Sequence, residues 1–438
     1  MDNASDDAPS AAGPDVEITR RTLLAGALGA AGAALVGAIP TRAPVATPAA
    51  VPGGGSQGTA AAPPDPTRVP GSATRAVGER APFVHLAREP AGLVVGHSLT
   101  PLQDLCGTIT PSDLHFERHH AGVPAIDPAQ YRLLIHGLVE RPLVFTLADL
   151  QRFPARSRTY FLECSGNGRA GYRGMSPAST PQTIDGLTST SEWTGVPLAT
   201  LLREAGVRPG ARWLLAEGSD AAVMTRSIPL TKALDDALVA YGQNGEPLRP
   251  EQGYPVRLFL PGWEGNANVK WLRRIKVGDE AFMTREETAR YTDALPQEDA
   301  RQFSFVMDAK SIITFPAYPT VLPGRGWWEI RGIAWSGRGR IAGVDVSTDG
   351  GATWTAAVLQ EPVLPIAHTR FRHLWEWGGA PATLMSRARD ETGYVQPTTA
   401  VLRAVRGPGT GYHYNNIRAW DVDAAGRVTF AARVEAPA

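Results

Sequence analysis

From residue 303 onward, apolar residues recur at alternate positions in short runs that stop at turn signals, with no long helical period between them. Residues 327–335, 341–347 and 370–377 read as strands, and Asp349-Gly350-Gly351 is a hairpin signal ahead of Trp354. In the third run Phe371, His373, Trp375 and Trp377 fall on one face. Short strands of period two joined by such turns must bury one face against a second sheet, which predicts an immunoglobulin-like β-sandwich over 303–438. Trp327, Trp328 and Trp335 suit either its core or an interface.

The preceding segment, 77–302, mixes the two periods, so the fold class is α+β. Residues 131–138 read as a strand followed by a helical turn capped by Thr146. Leu198, Leu201, Leu202 and Ala205 line one side of a short helix that stops at Gly206. Residues 254–260 and 269–277 read as strands joined by a Pro-Gly-Trp-Glu-Gly-Asn loop.

The N-terminal residues 1–40 read as an export signal. Thr19-Arg20-Arg21-Thr22-Leu23-Leu24 opens a weakly hydrophobic Ala/Gly run to Ile39, the pattern of a twin-arginine leader. The run is short and glycine-rich for a membrane span, although without a clear cleavage site retained anchoring stays open. Residues 41–76 are dominated by Pro, Ala, Gly and Ser and read as a disordered linker, having too little apolar surface to offset ordering entropy. Export by this route puts the mature chain in the periplasm or on the outer face of the cytoplasmic membrane. The 43 basic and 43 acidic side chains leave no net charge, which argues against a nucleic-acid partner. The two cysteines, Cys106 and Cys164, could pair in an oxidising compartment. They form no Cys-x-x-Cys-His, so no covalent haem is expected in this chain.

Residues 161–169, Phe-Leu-Glu-Cys-Ser-Gly-Asn-Gly-Arg, carry Cys164 out of an apolar strand into a polar, glycine-flanked turn. Gly166 and Gly168 free backbone N–H donors and Arg169 adds positive charge, the surroundings of a metal ligand or nucleophile rather than of a packed thiol. The pair His119-His120 suggests a metal site at first, but adjacent histidines on an extended chain point apart and no further ligands cluster nearby.

Three segments in order, Phe116-Glu117-Arg118-His119-His120-Ala121-Gly122-Val123-Pro124, the cysteine turn and Gly265-Asn266-Ala267-Asn268-Val269-Lys270-Trp271-Leu272, resemble the sulfite oxidase family of molybdopterin enzymes. Within it the chain looks most like the sulfane (sulfite) dehydrogenase branch of bacterial sulfur oxidation. The resemblance implies a sulfite-oxidase-type molybdopterin core at 77–302 and a dimerising sandwich at 303–438.

It further implies molybdenum-molybdopterin as cofactor, with Cys164 as the metal's thiolate ligand. Arg118, Arg169 and Arg418 would form a cationic substrate pocket, since guanidinium forks match oxyanions. Tyr291, in Thr288-Ala289-Arg290-Tyr291, would hydrogen-bond a reacting oxygen. His120, Asp220, Arg257, Asn268, Val269 and Lys270 would hold the pterin and its phosphate. Ala267 and Gln252 stand where sulfite oxidases carry arginine and histidine, so two familiar pterin contacts differ, and Gly168 replaces an arginine in the turn of the animal enzymes.

The implied activity is oxidation of sulfite or of carrier-bound sulfane sulfur. The implied partners are a c-type cytochrome acceptor, a sulfur-carrier protein and a second copy of the chain. The alternatives are a molybdopterin reductase of nitrate or methionine sulfoxide, and a cofactor-free binding module.

Overall fold

The computed structural model describes residues 66–68, 70–174, 176–295, 299–407 and 411–431. The expected leader at 1–40, and residues 41–65 and 69 of the expected linker, lie outside them. Residues 66–85 carry a 3-10 turn, Pro66–Arg68, and an Arg75–Glu79 ion pair. A separate compact unit begins at Leu86.

The alternating runs become strands because period-two patterning gives each ladder one apolar face. One sheet pairs Lys310–Phe315, Gly326–Trp335, Thr369–Trp377 and Val358–Gln360 in that order; the second pairs Thr355–Ala356, Ile341–Ser347, Ala382–Asp390, Ala419–Val422 and Val428–Phe430. All these ladders are antiparallel. Ile312, Ile330, Trp335, Phe371, Leu384 and Trp420 meet between the sheets. Trp335 is fully buried there and Trp328 packs at the edge, whereas Trp327 is 62% exposed. A short helix, Thr399–Arg406, which the alternation did not suggest, precedes the last two strands.

In the preceding half, Thr146 caps helix Leu147–Arg152 through a capping box with Asp149. Helix Leu198–Ala205 ends at Gly206 and buries the four predicted residues completely. Strand Leu133–Gly137 runs parallel to Leu272–Gly278 in a five-stranded sheet. A second sheet joins Arg156–Glu163 to Thr188–Pro197 and Leu238–Gln243, and a three-stranded meander of Glu89–Gly92, Gly96–Leu99 and Glu117–His119 completes this half. The expected strand at 269–277 begins only at Leu272: residues 265–267 form a 3-10 turn and Trp271 has a positive φ. Val269 and Trp271 are apolar because their loop is buried, which imitates a strand in sequence.

The two halves meet without a gap. Phe161 and Ile184 share the apolar cluster of Trp335. Beside them lies a cluster of buried charges. Lys310 Nζ is 2.6 Å from Asp185 and 3.1 Å from Glu163, and Arg418 Nε is 3.1 Å from Asp185. Glu163 accepts from Trp335 Nε1 at 2.7 Å and from Asn167 Nδ2 at 2.9 Å. Burial alone would raise the Asp185 carboxyl, but Arg418 and Lys310 outweigh it and hold it below the usual range.

Removing one partner of such a cluster strands a buried charge. Lys310→Met is therefore expected to cost about 3–5 kcal/mol, read as a lower urea midpoint; an unchanged midpoint would contradict the cluster's role. Burial also lowers His115 and His368 to about 3, so both are neutral in the fold. Between pH 6.5 and that value the unfolded chain binds protons that the fold refuses. Stability should therefore fall as pH drops below about 6.5, by roughly 1.4 kcal/mol per pH unit per histidine, and should not change from these groups above it. Urea midpoints at pH 7.5 and 5.0 check the sign.

Candidate functional site

Strand Arg156–Glu163 delivers the chain to the cysteine turn. The Cys164 amide donates to Leu187 O at 3.0 Å and the Cys164 carbonyl accepts from Asn167 N–H at 2.8 Å, closing the turn. Gly168 follows at φ +83°, and a Cβ there would lie 2.2 Å from Arg418 Nη2 and 2.6 Å from Asp185 Oδ1. Only glycine suits both the backbone and the space. Gly265 meets the turn from the other side: its Cβ would stand 2.9 Å from Glu163 O and 3.2 Å from the Cys164 Cα.

Between these segments opens a cavity of about 660 Å³, the solvent at its open mouth included. Cys164, Arg118, His120, Asp220, Arg257, Asn268, Val269, Lys270 and Tyr291 all line it. Residues from five separate stretches of sequence thus converge on one thiol. Both cysteines are free; Cys106 is exposed and Cys164 is half-buried. Burial pushes the Cys164 thiol up, against the Gly166 amide and the Arg118 and Arg169 cations.

Arg118 sits in the edge of the meander, donating to Gly96 O at 3.3 Å and to His119 O. Burial, then Arg118, lower His120 to about 4, so the ring is neutral near pH 7. Its Nε2 is 2.9 Å from the Tyr291 hydroxyl. Burial, followed by Cys164 and Tyr412, raises the Tyr291 phenol, which stays protonated. The phenol ring packs on Tyr412 with centroids 5.1 Å apart.

Two of the predicted anion-facing arginines are placed outside the lining of this cavity. Arg418 is buried outside the cavity wall, and its guanidinium is committed to Asp185, Asn416 O, Gly168 O and Tyr414 O. It braces the turn from beneath. Arg169 also lies outside the wall, donating to Gly411 O at 2.7 Å and to the Tyr414 hydroxyl at 3.3 Å, with its charge over the Tyr412 ring at 5.7 Å. It acts on Cys164 through its field.

Lys270 lines the cavity, yet its three donor directions go to Arg118 O at 3.1 Å, Glu251 O at 2.9 Å and His119 Nδ1 at 2.9 Å. Because that nitrogen accepts, His119 carries its proton on Nε2, 2.8 Å from Glu117. Burial, then Arg257, hold the Lys270 ammonium well below its usual range. The Asn268 side chain is likewise spent on loop closure, accepting from Leu260 N–H and donating to Trp263 O and Glu264 O. Asp220 Oδ1 accepts the Met224 amide at 3.0 Å.

Arg257 differs. It is buried and lowered to about 9 by burial; its Nη1 and Nη2 donate to Gln252 O and Asn268 O, each at 3.0 Å, and its Nε alone has no hydrogen-bond partner among the described residues. A buried cationic N–H left unpaired at a cavity wall implies an absent acceptor. A half-buried thiol and an arginine with one unpaired N–H, both lining one cavity, fit a molybdenum bound through sulfur and a pterin ending in phosphate. Cys164 would hold the metal; Arg257 and His120 would hold the organic part.

Sequence reading missed the supports of this site. Glu163, Asp185 and Lys310 looked like ordinary charges. Glu264 and Asn266 stood in a stretch read as a loop, and Arg226 and Glu287 in stretches given no reading. Glu163 alone had a local signal, directly preceding Cys164 at the end of an apolar run.

The family model for the oxidoreductase molybdopterin binding domain matches residues 120–286, and that for the Mo-co oxidoreductase dimerisation domain matches residues 301–419. Sulfite oxidase of Gallus gallus is 34% identical over 331 residues, spanning 70% of this chain and 72% of its own length. NADH nitrate reductase of Solanum lycopersicum is 34% identical over 310 residues, spanning 62% of this chain but 33% of its own. The crystal structure of the sulfane dehydrogenase SoxCD from Paracoccus pantotrophus matches with a TM-score of 0.80 and 46% identity, covering 84% of this chain and 99% of that one. With its cysteine-floored cavity and its sandwich, the chain belongs to the sulfite oxidase family of molybdopterin oxidoreductases.

Proposed function

We propose that the chain oxidises sulfite or a carrier-bound sulfane sulfur and passes the electrons to a separate c-type cytochrome. The observation that carries this reading is the Cys164 thiol opening onto a cavity walled by Arg118, Arg257, His120 and Tyr291. Molybdenum-molybdopterin, when bound, supplies two-electron acceptance and oxygen transfer.

The protein's own residues do the rest. Arg118 binds the oxyanion through its planar guanidinium fork, whose parallel N–H donors match two oxygens at once. The Tyr291 hydroxyl, held protonated by burial, hydrogen-bonds a reacting oxygen while neutral His120 fixes its position. Arg169, stacked on Tyr412, adds positive field without occupying the cavity. Such fixed charges favour developing negative charge on oxygen without reorganising during the reaction.

The 46% identity to a sulfane dehydrogenase over nearly its whole length favours a sulfur substrate over nitrate. The nitrate reductase relative extends far beyond the part this chain matches. With no Cys-x-x-Cys-His in the sequence, the reading sends electrons to another protein. Arg20-Arg21 and the apolar run after them support export through the twin-arginine route to the periplasm or the outer membrane face. The dimerisation match at 301–419 supports a homodimer.

Cys164→Ser should lose molybdenum and sulfite-dependent cytochrome reduction together while remaining folded by circular dichroism. Equal metal and activity in both proteins would overturn the reading. Arg118→Gln should raise the sulfite KM about ten- to a hundredfold with a smaller change in kcat, because a charge-assisted anion contact is lost in ground and transition state alike. An unchanged KM would remove Arg118 from the substrate site.

A further inference from the structure

Arg226 lies on strand Thr225–Pro229, fully buried and outside the cavity wall. Its Nε donates to Glu287 Oε1 at 3.0 Å, its Nη2 is 3.2 Å from Glu264 Oε1, and its Nη1 donates to Asn266 Oδ1. The flat of its guanidinium packs near the face of Tyr291, 5.1 Å from the ring centroid. Glu287 belongs to the π-helical turn Glu286–Arg290 that immediately precedes Tyr291, and the Tyr291 amide donates to Glu286 O at 3.0 Å. Asn266 Nδ2 in turn donates to Ser165 Oγ at 3.1 Å, next to Cys164.

One side chain therefore grips the turn that carries the tyrosine, the face of its ring, and the loop against the cysteine. A buried arginine between two carboxylates is a costly way to fill space, since apolar packing commonly serves stability as well or better. What it supplies is direction. A planar fork directs hydrogen bonds to Glu287 and Asn266, keeps a third nitrogen in ion-pair range of Glu264 and sits over the ring at once, which an ammonium cannot do.

We infer that Arg226 is a positioning residue for the reaction: it sets where the Tyr291 hydroxyl points into the cavity, acting through the ring and through Glu287. The inference rests on the sulfur-oxidising reading above. Tyr412, with its ring centroid 5.1 Å from that of Tyr291, and His120 at the hydroxyl complete the restraint.

The test is a double-mutant cycle on the full-length, cofactor-loaded protein, with sulfite as substrate and ferricyanide as acceptor. Arg226→Lys keeps the charge between the carboxylates and removes the fork. It should leave molybdenum content and sulfite KM within about twofold and lower kcat about tenfold, as modest misplacement of a reacting group does. In a Tyr291→Phe background the same change should cost less than about twofold, because the hydroxyl it positions is gone. A second readout uses protein made without cofactor: tetranitromethane should nitrate Tyr291 several times faster in Arg226→Lys than in wild type, normalised to Tyr318.

Equal losses in both backgrounds, or unchanged nitration, would overturn the inference. If Arg226→Lys is insoluble, Glu287→Gln keeps an acceptor for Arg226 but weakens the grip. It should reproduce the non-additivity at about threefold in kcat; insolubility of both variants would make the role purely structural and overturn the proposal. A wild type that does not oxidise sulfite contradicts the functional reading instead, and the nitration arm still decides this one.

Discussion

The buried cluster of Glu163, Asp185, Lys310 and Arg418 is the constraint on which the site depends. Its members come from the end of the cysteine strand, a short helix of the first half and two segments of the sandwich half. Two anions and two cations cancel where water is excluded, and Trp335, Asn167 and the carbonyls of Gly168, Tyr414 and Asn416 take the remaining hydrogen-bonding capacity. Charges buried this way stabilise little on balance, but they tolerate only one arrangement of partners. The cysteine turn is thereby fixed to the sandwich as well as to its own sheet.

That rigidity explains why a thiol can wait in a protein cavity for a metal. In its absence burial keeps the Cys164 sulfur protonated; coordination would supply the charge compensation that burial denies. The cavity is cationic by the same logic. Arg257 is buried with one N–H unspent, while Lys270 has all of its donors inside the protein. A second charged layer, Arg226 with Glu264 and Glu287, packs against Tyr291.

Much of this was readable locally. Leu198, Leu201, Leu202 and Ala205 declare their helix because four apolar residues on one side have only one way to be buried, and the Cys164 turn declares itself by its glycines. The convergence of Arg118, His120, Arg257 and Tyr291 on that thiol followed from matching motifs. What could not be read was the direction of long side chains. Arg418 stands at the expected place in the chain, yet its guanidinium turns toward Asp185, 233 residues away in sequence. Glu163 and Lys310 are 147 positions apart and each reads as a solvated charge until the fold joins them. Trp271 and Val269 mimicked a strand because burial, not pairing, dictated their apolarity.

The most direct measurement is peptide mapping after iodoacetamide treatment of protein made with and without the molybdenum cofactor. Cys106, exposed, serves as the internal control and should be alkylated in both. Cys164 should be alkylated in the cofactor-free protein and protected in the loaded one. Equal labelling of Cys164 in the two preparations would contradict a sulfur bond from this residue to the metal.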